Sequence, residues 1–255
     1  MLKKLIRLNI SDIWLCLGVV AAFFLAAQII TGAVLLFIVN LHSVPLVSGV
    51  VLHITAGVMA LIVTISHVSV NFVQALRFGQ TRRRALGMML SMALFESACA
   101  SALAAALAWA ERTFFPALWL VLSGLEKLVW GGIPPVPEPS IWQGSDQEWT
   151  ALLDEISSTL YLEDFALDWW WFLVIPVIGL ALGFIVGAFL QRFGSRGGWI
   201  LWGAWMVICF APQLLGDRFL LLTEWSQWIT AAGSLFAAAA GVWSVWSLLH
   251  AVVKN

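Results

Sequence analysis

Two histidines fourteen residues apart are the side chains of this sequence best suited to chemistry. His53 and His67 fall within one long apolar stretch, and on an α-helix this spacing places them on nearly the same face. They would then lie about 21 Å apart along the helix axis. Histidine is costly inside a membrane span and indicates a functional site there. Such a helix could hold one of two stacked hemes near each membrane surface, or the two imidazoles could simply line a helix interface.

The same interval recurs between small residues in the neighbouring apolar stretches. Gly18 and Gly32 precede the histidines and Gly87 and Ser101 follow them, and each pair is fourteen residues apart. Small side chains let a flat cofactor or another helix backbone approach closely. The pattern therefore predicts that these three apolar helices together line two cofactor pockets. Ordinary packing of small residues between helices is the alternative.

Several short motifs follow one another in the order and spacing of a known family. They are Gln28-Ile29-Ile30-Thr31-Gly32, His53 with Gly57 behind it, His67, Glu126 to Gly132, Thr159-Leu160 and Pro176. Together they resemble the amino-terminal half of the cytochrome b/b6 family, over roughly residues 10–195. The resemblance implies a bundle of four membrane helices that holds two b-type hemes between quinone sites on opposite membrane faces.

The resemblance also implies roles for the residues of the repeated interval. His53 and His67 would ligate the heme irons. Gly18, Gly32 and Gly87 would make room for the porphyrin rings. These five residues are therefore the candidate heme site.

A further likeness concerns a cysteine of the first apolar stretch. Cys16 lies twelve residues before Gln28, which is similar to the b6-type branch, where a cysteine here forms a single thioether to an extra, c-type heme. Arg192 would correspond to a basic residue near that heme and the cytoplasmic quinone site. An inert buried cysteine and a basic anchor at the membrane surface are the alternatives for these two residues.

The fourth apolar stretch departs from the family, which takes one ligand for each heme from this helix. Residues 168–193 contain no histidine, and the positions that align best are Trp171 or Phe172 and Val186 or Gly187. The arginines that the family places beside its second-helix histidines are missing as well. The usual pair of hemes with two histidine ligands therefore cannot form in the usual way.

Three arrangements remain open for the second-helix histidines. Their hemes could be five-coordinate, a ligand could come from His42, His250 or a methionine, or the pockets could be empty in a subunit that keeps the architecture as scaffold. Glu96, in the middle of the third apolar stretch, is also costly there. It could relay protons to a quinone or bond a neighbouring helix.

The elements that must position these residues are apolar helices. Of 255 residues, 62% are hydrophobic and 11% are charged, whereas a soluble domain carries about 25% charged residues. A span needs about 20 apolar residues, and six stretches qualify: 13–39, 48–76, 85–110, 166–191, 198–215 and 228–252. We predict an all-α integral membrane protein with about six transmembrane helices, of which the first four resemble the cytochrome b/b6 bundle.

The connections suggest two parts. Residues 1–195 would form the cytochrome b/b6-like domain with a long extracytoplasmic loop, 111–165, and residues 196–255 would add two helices. Within the loop, the polar and acidic stretch from Gln143 to Glu155 predicts a short amphipathic helix.

The basic residues predict the orientation, because short cytoplasmic loops are enriched in them. In a six-span arrangement ten lie on one side: Lys3, Lys4, Arg7, Arg77, Arg82, Arg83, Arg84, Arg192, Arg196 and Lys254. Three lie on the other: Arg112, Lys127 and Arg218. Both termini are therefore expected in the cytoplasm, with a bacterial inner membrane as the location.

The resemblance implies two classes of function. The first is an electron-transfer subunit of a quinone-linked respiratory or photosynthetic complex, part of a quinol/quinone oxidoreductase, with a reduced or altered set of b-type or thioether-linked hemes. The second is a heme-free scaffold or anchor derived from cytochrome b. Either would work with other membrane and redox subunits, with quinone and in lipid, and a homodimer is a further expectation of the family. No nucleic-acid partner is expected.

Overall fold

Helices make up most of the computed structural model, which describes residues 10–37, 43–46, 50–131, 146–163, 167–215 and 226–250. The helices are α1 (Ile10–Phe37), α2 (Val51–Ser66), α3 (Phe72–Arg77), α4 (Arg82–Ser123), α5 (Asp146–Ser157), α6 (Trp171–Phe193), α7 (Ser195–Leu215) and α8 (Ser226–Leu249). A π-helical segment, His67–Asn71, joins α2 to α3. Val51–Arg77 is therefore one helix of 27 residues.

Within the described residues, four helices are long and apolar enough to span a membrane: α1, Val51–Arg77, α4 and α6. Large apolar side chains stand exposed on them, such as Trp14 at 68% and Ile29 at 70%. Exposed apolar surface of this kind suits contact with lipid. The first four predicted spans are thus confirmed as helices of spanning length. Helices α7 and α8 coincide with the last two predicted spans, and their crossing of the membrane stays a prediction.

Helix α4 differs from its predicted bounds. It has 42 residues and continues to Ser123, so that the segment 111–123 is helical rather than part of the long loop. Pro116 lies inside this helix. Glu111 falls within the predicted loop but is fully buried in the helix.

The structure contains a small parallel sheet, which the predicted all-α architecture did not include. Its strands are β1 (Ser43–Pro45), β2 (Lys127–Trp130) and β3 (Thr159–Glu163), in the order β1-β3-β2. Strand β3 is central because it pairs in parallel with both neighbours. The predicted amphipathic helix of the same region is confirmed as α5.

The described chain divides into two compact units. Unit 1 comprises residues 1–57 and 98–176, and unit 2 comprises residues 58–97 and 177–255. The core of unit 1 contains Leu35, Val44, Leu46, Trp119, Leu160 and Leu162. The core of unit 2 contains Val68, Phe72, Ala75, Ala85, Met89, Ala188 and Leu248. The predicted boundary at residue 195 stays a prediction.

Glycines of α6 lie directly against the Val51–Arg77 helix in unit 2. A Cβ atom on Gly183 would lie 2.6 Å from the carbonyl oxygen of Leu61. A Cβ atom on Gly187 would lie 2.8 Å from the Cβ of Val68. Small residues allow such close approach of two membrane helices, whose association rests on van der Waals packing. The two helices therefore leave no space between them at these positions.

We expect Gly183→Ala to destabilise the protein, because the added methyl group meets a backbone oxygen that cannot move alone. Overpacking of this kind costs about 1–3 kcal/mol. Gly241→Ala is the matched control, since a Cβ there meets nothing within 4 Å and alanine favours helix. Unfolding in mixed detergent micelles, followed by tryptophan fluorescence, measures both changes. Equal stabilities of the two variants would contradict the close packing.

Fusions of alkaline phosphatase, which is active only outside the cytoplasm, test the last two spans. With six spans, a fusion after Gly194 is expected to be inactive and a fusion after Arg218 active, because α7 would carry the second fusion across. Green fluorescent protein at the same two positions should give the opposite pattern. An inactive phosphatase at Arg218 would show that α7 does not cross.

Candidate functional site

His67 lies at the start of the π-helical segment and is held on both sides of its ring. Its Nε2 lies 3.1 Å from Oε2 of Glu96 on α4. Its Nδ1 lies 2.7 Å from the amide nitrogen of Asn71. The side chains of His67 and Glu96 are only 5% and 2% exposed. The structure thus brings together two residues that the sequence singled out separately, and adds Asn71.

The hydrogen bonds assign the proton on the imidazole. The amide of Asn71 donates to Nδ1, so Nε2 carries the hydrogen and donates to the carboxylate of Glu96. Asn71 lies four residues after His67, within the wider turn of the π-helical segment. Single π-helical turns inside α-helices are frequent at functional sites. The ring is consequently fixed in both tautomer and orientation.

The cluster of His67, Glu96 and Asn71 also joins two apolar helices. A polar group in a membrane interior needs a partner, because no water is available there. Of the two interpretations of Glu96, the structure shows the bond to a neighbouring helix. Oε1 of Glu96 has no hydrogen-bond partner among the described residues. A relay of protons through this carboxylate stays a hypothesis.

A heme on His67 does not fit this arrangement. Both ring nitrogens are engaged, so ligation would require breaking the contact with Glu96 or with Asn71. The space toward α6 is closed, because Gly187 lies against Val68, the residue next to the histidine. At this level the Val51–Arg77 helix and α6 are therefore in direct contact, with no room for a porphyrin between them.

His53 belongs to unit 1 and lies against α6 there. It is 1% exposed, and its imidazole stacks on Phe172 with 3.6 Å between ring centroids and 21° between planes. Phe172 is one of the two residues predicted at the missing ligand position. A Cβ on Gly57 would lie 2.5 Å from Cγ2 of Ile175, so the helices also touch one turn further on. A porphyrin does not fit between the two helices in this unit either.

The small residues of the repeated interval do not line a described cavity. Gly18 and Gly87 are exposed, and a Cβ on either would meet nothing within 4 Å. A Cβ on Gly32 would be 3.9 Å from Leu122. Cys16 is 3% exposed, as expected for a buried thiol. Heme binding by these residues stays a prediction without support from their surroundings.

The structure also describes the surroundings of Arg192, the predicted basic residue near the extra heme, and of His250, a possible axial ligand. Arg192 is exposed and lies over aromatic rings of α8 in unit 2. His250 bonds the carbonyl oxygen of Trp246 through Nδ1, at 2.8 Å. His42 lies outside the described residues.

A second buried polar pair was missed by the sequence interpretation. Nε2 of Gln28 on α1 donates to a carboxylate oxygen of Glu111 on α4, and both side chains are buried in unit 1. The sequence does indicate that the helix continues through Glu111, because no turn residue separates Glu111 from the alanine-rich apolar run before it. Helix α4 is therefore bonded to the Val51–Arg77 helix through Glu96 in unit 2 and to α1 through Glu111 in unit 1.

Glu96→Leu is expected to lower the free energy of unfolding by about 1–3 kcal/mol, the cost of a buried donor left without an acceptor. Glu96→Gln should cost less, because an amide oxygen can still accept the hydrogen bond from His67. Ser91→Ala, at an exposed position of the same helix, is the control. Detergent unfolding measures all three. Equal losses for the leucine and glutamine variants would argue against the hydrogen bond.

Comparisons with protein-family models, with curated proteins and with solved structures gave no match for this chain. The likeness to cytochrome b/b6 therefore rests on the sequence motifs alone.

Proposed function

We propose that this chain is a heme-free membrane subunit that anchors a larger quinone-linked complex and keeps the helices of a cytochrome-b-like bundle as scaffold. The observation that carries the proposal is the direct packing of the second membrane helix on α6, at Gly57 in unit 1 and at Gly183 and Gly187 in unit 2. In the family that the sequence resembles, the hemes lie between these two helices.

The surroundings of the two histidines support the proposal further. His67 would have to give up a buried partner to bind iron, and a carboxylate left alone in an apolar interior is strongly destabilising. His53 stacks on Phe172, a ring that cannot ligate a metal. Both histidines thus have structural roles in packing α6 and α4 around their own helix.

A scaffold role also agrees with the distribution of surfaces. Apolar side chains are widely exposed on the membrane helices, and they can contact lipid or the helices of partner subunits. The small sheet and α5 add a folded polar region to unit 1. The link to quinone and to redox partners comes from the sequence resemblance.

Electron transfer by the chain itself is the competing function, and optical spectra separate the two. We expect the protein, purified with its partners in mild detergent, to give no heme signal from this chain in reduced-minus-oxidised and pyridine hemochrome spectra. Cys16→Ala should leave assembly and quinone-dependent electron transfer of the complex unchanged, as should the control Cys99→Ala.

Two results would overturn the proposal. One is heme in stoichiometric amount that is lost in His53→Ala or His67→Ala. The other is heme that resists acid-acetone extraction in the wild type and vanishes in Cys16→Ala. Loss of the whole complex in a strain without this chain, together with the absence of heme, is the result that supports it.

A further inference from the structure

Two arginines from different helices converge on the end of α8 in unit 2. Nη1 of Arg82, at the start of α4, donates to the carbonyl oxygen of Leu249 at 3.0 Å. The guanidinium carbon of Arg192, at the end of α6, lies 5.6 Å from the ring centroid of Trp243 and 5.8 Å from that of Trp246. The last two turns of α8 are therefore in contact with two positively charged side chains.

Both guanidinium groups are positioned but still have free capacity to donate. Cation–π contacts within about 6 Å attract an arginine to aromatic rings, and the contacts with Trp243 and Trp246 hold Arg192 beside α8. Arg82 uses one N–H on a carbonyl, and an arginine has five such donors. Both side chains are exposed, and neither forms an ion pair with a carboxylate in the described part of the chain. Their remaining N–H groups can therefore bind an anion from outside.

An apolar surface continues from the arginines along α8. Val242, Val245 and Trp246 are 73%, 41% and 51% exposed. They are spaced three and four residues apart, so they share one face of the helix. Ser244 and Ser247, on the other side of the helix, are buried, and Leu248 beside them is fully buried in the core of unit 2, which fixes this orientation. An anion with an attached hydrocarbon chain matches this surface, whereas an inorganic ion would use only the arginines.

We infer that the end of α8 is a binding site for the phosphodiester headgroup of an anionic phospholipid. Arg82 and Arg192 bind the phosphate oxygens, and an acyl chain lies along Val242 and Trp246. Basic pockets between membrane helices on the cytoplasmic side bind such headgroups in general, and the charge distribution predicts that this end of α8 faces the cytoplasm. The site goes beyond the proposed scaffold function and does not depend on the absence of heme.

Lipid titration of the purified full-length chain in a neutral detergent tests the site. Phosphatidylglycerol should raise the unfolding temperature in a saturable way, since a ligand of the folded state stabilises it. Phosphatidylcholine and inorganic phosphate should not do so at the same concentrations. Arg82→Gln and Arg192→Gln are each expected to weaken the apparent affinity about tenfold, the effect of one lost charge-assisted hydrogen bond.

Arg196→Gln is the matched control, because it removes the same charge from an exposed position four residues along the chain from Arg192. Its affinity should stay within about twofold of the wild type. Arg192→Lys keeps the charge without the planar fork and separates loss of binding from loss of folding. Equal weakening in all three glutamine variants would overturn the site in favour of general surface charge. Stabilisation by inorganic phosphate alone would overturn the lipid as its ligand.

Discussion

Direct contact between the second membrane helix and α6 is the constraint on which the rest of the structure depends. It is possible only because glycine stands at the points of closest approach, where any side chain would meet backbone or a β-branched residue of the other helix. In lipid, helices gain little from the hydrophobic effect when they associate, so close packing has to supply the attraction. Once the two helices touch, His53 stacks on Phe172, and the imidazole of His67 is left to bond Glu96 of α4.

Polar side chains add specificity to this packing. Helix α4 bonds His67 through Glu96 in unit 2 and Gln28 through Glu111 in unit 1. A buried carboxylate without a partner is expensive in a membrane interior, so each pair favours one arrangement of helices over arrangements that would separate the two groups. The same residues that suggested cofactor chemistry therefore act, in this fold, as connections between helices.

The sequence predicted the helices better than their contacts. Hydropathy alone located the membrane helices and the charge pattern located α5, because both signals are local. The end of α4 was misplaced at residue 110, because the burial of Glu111 depends on Gln28, a partner far away in the sequence. The strands were not predicted. Each has only three to five residues, and its parallel pairing partner lies far away in the sequence. His67 and Glu96 were both recognised as costly, but only the fold shows that each satisfies the other.

The central place of β3 in the sheet has a consequence for biogenesis. Strands β1 and β2 are each bonded only to β3, which is the last of the three to be synthesised. At about 5–20 residues per second, roughly 6 to 23 s separate the synthesis of Pro45 from that of Thr159. During that interval β1 has no strand to pair with, although the helices after it can already enter the membrane. The sheet can therefore be completed only after the Val51–Arg77 helix, α4 and α5 have all been synthesised.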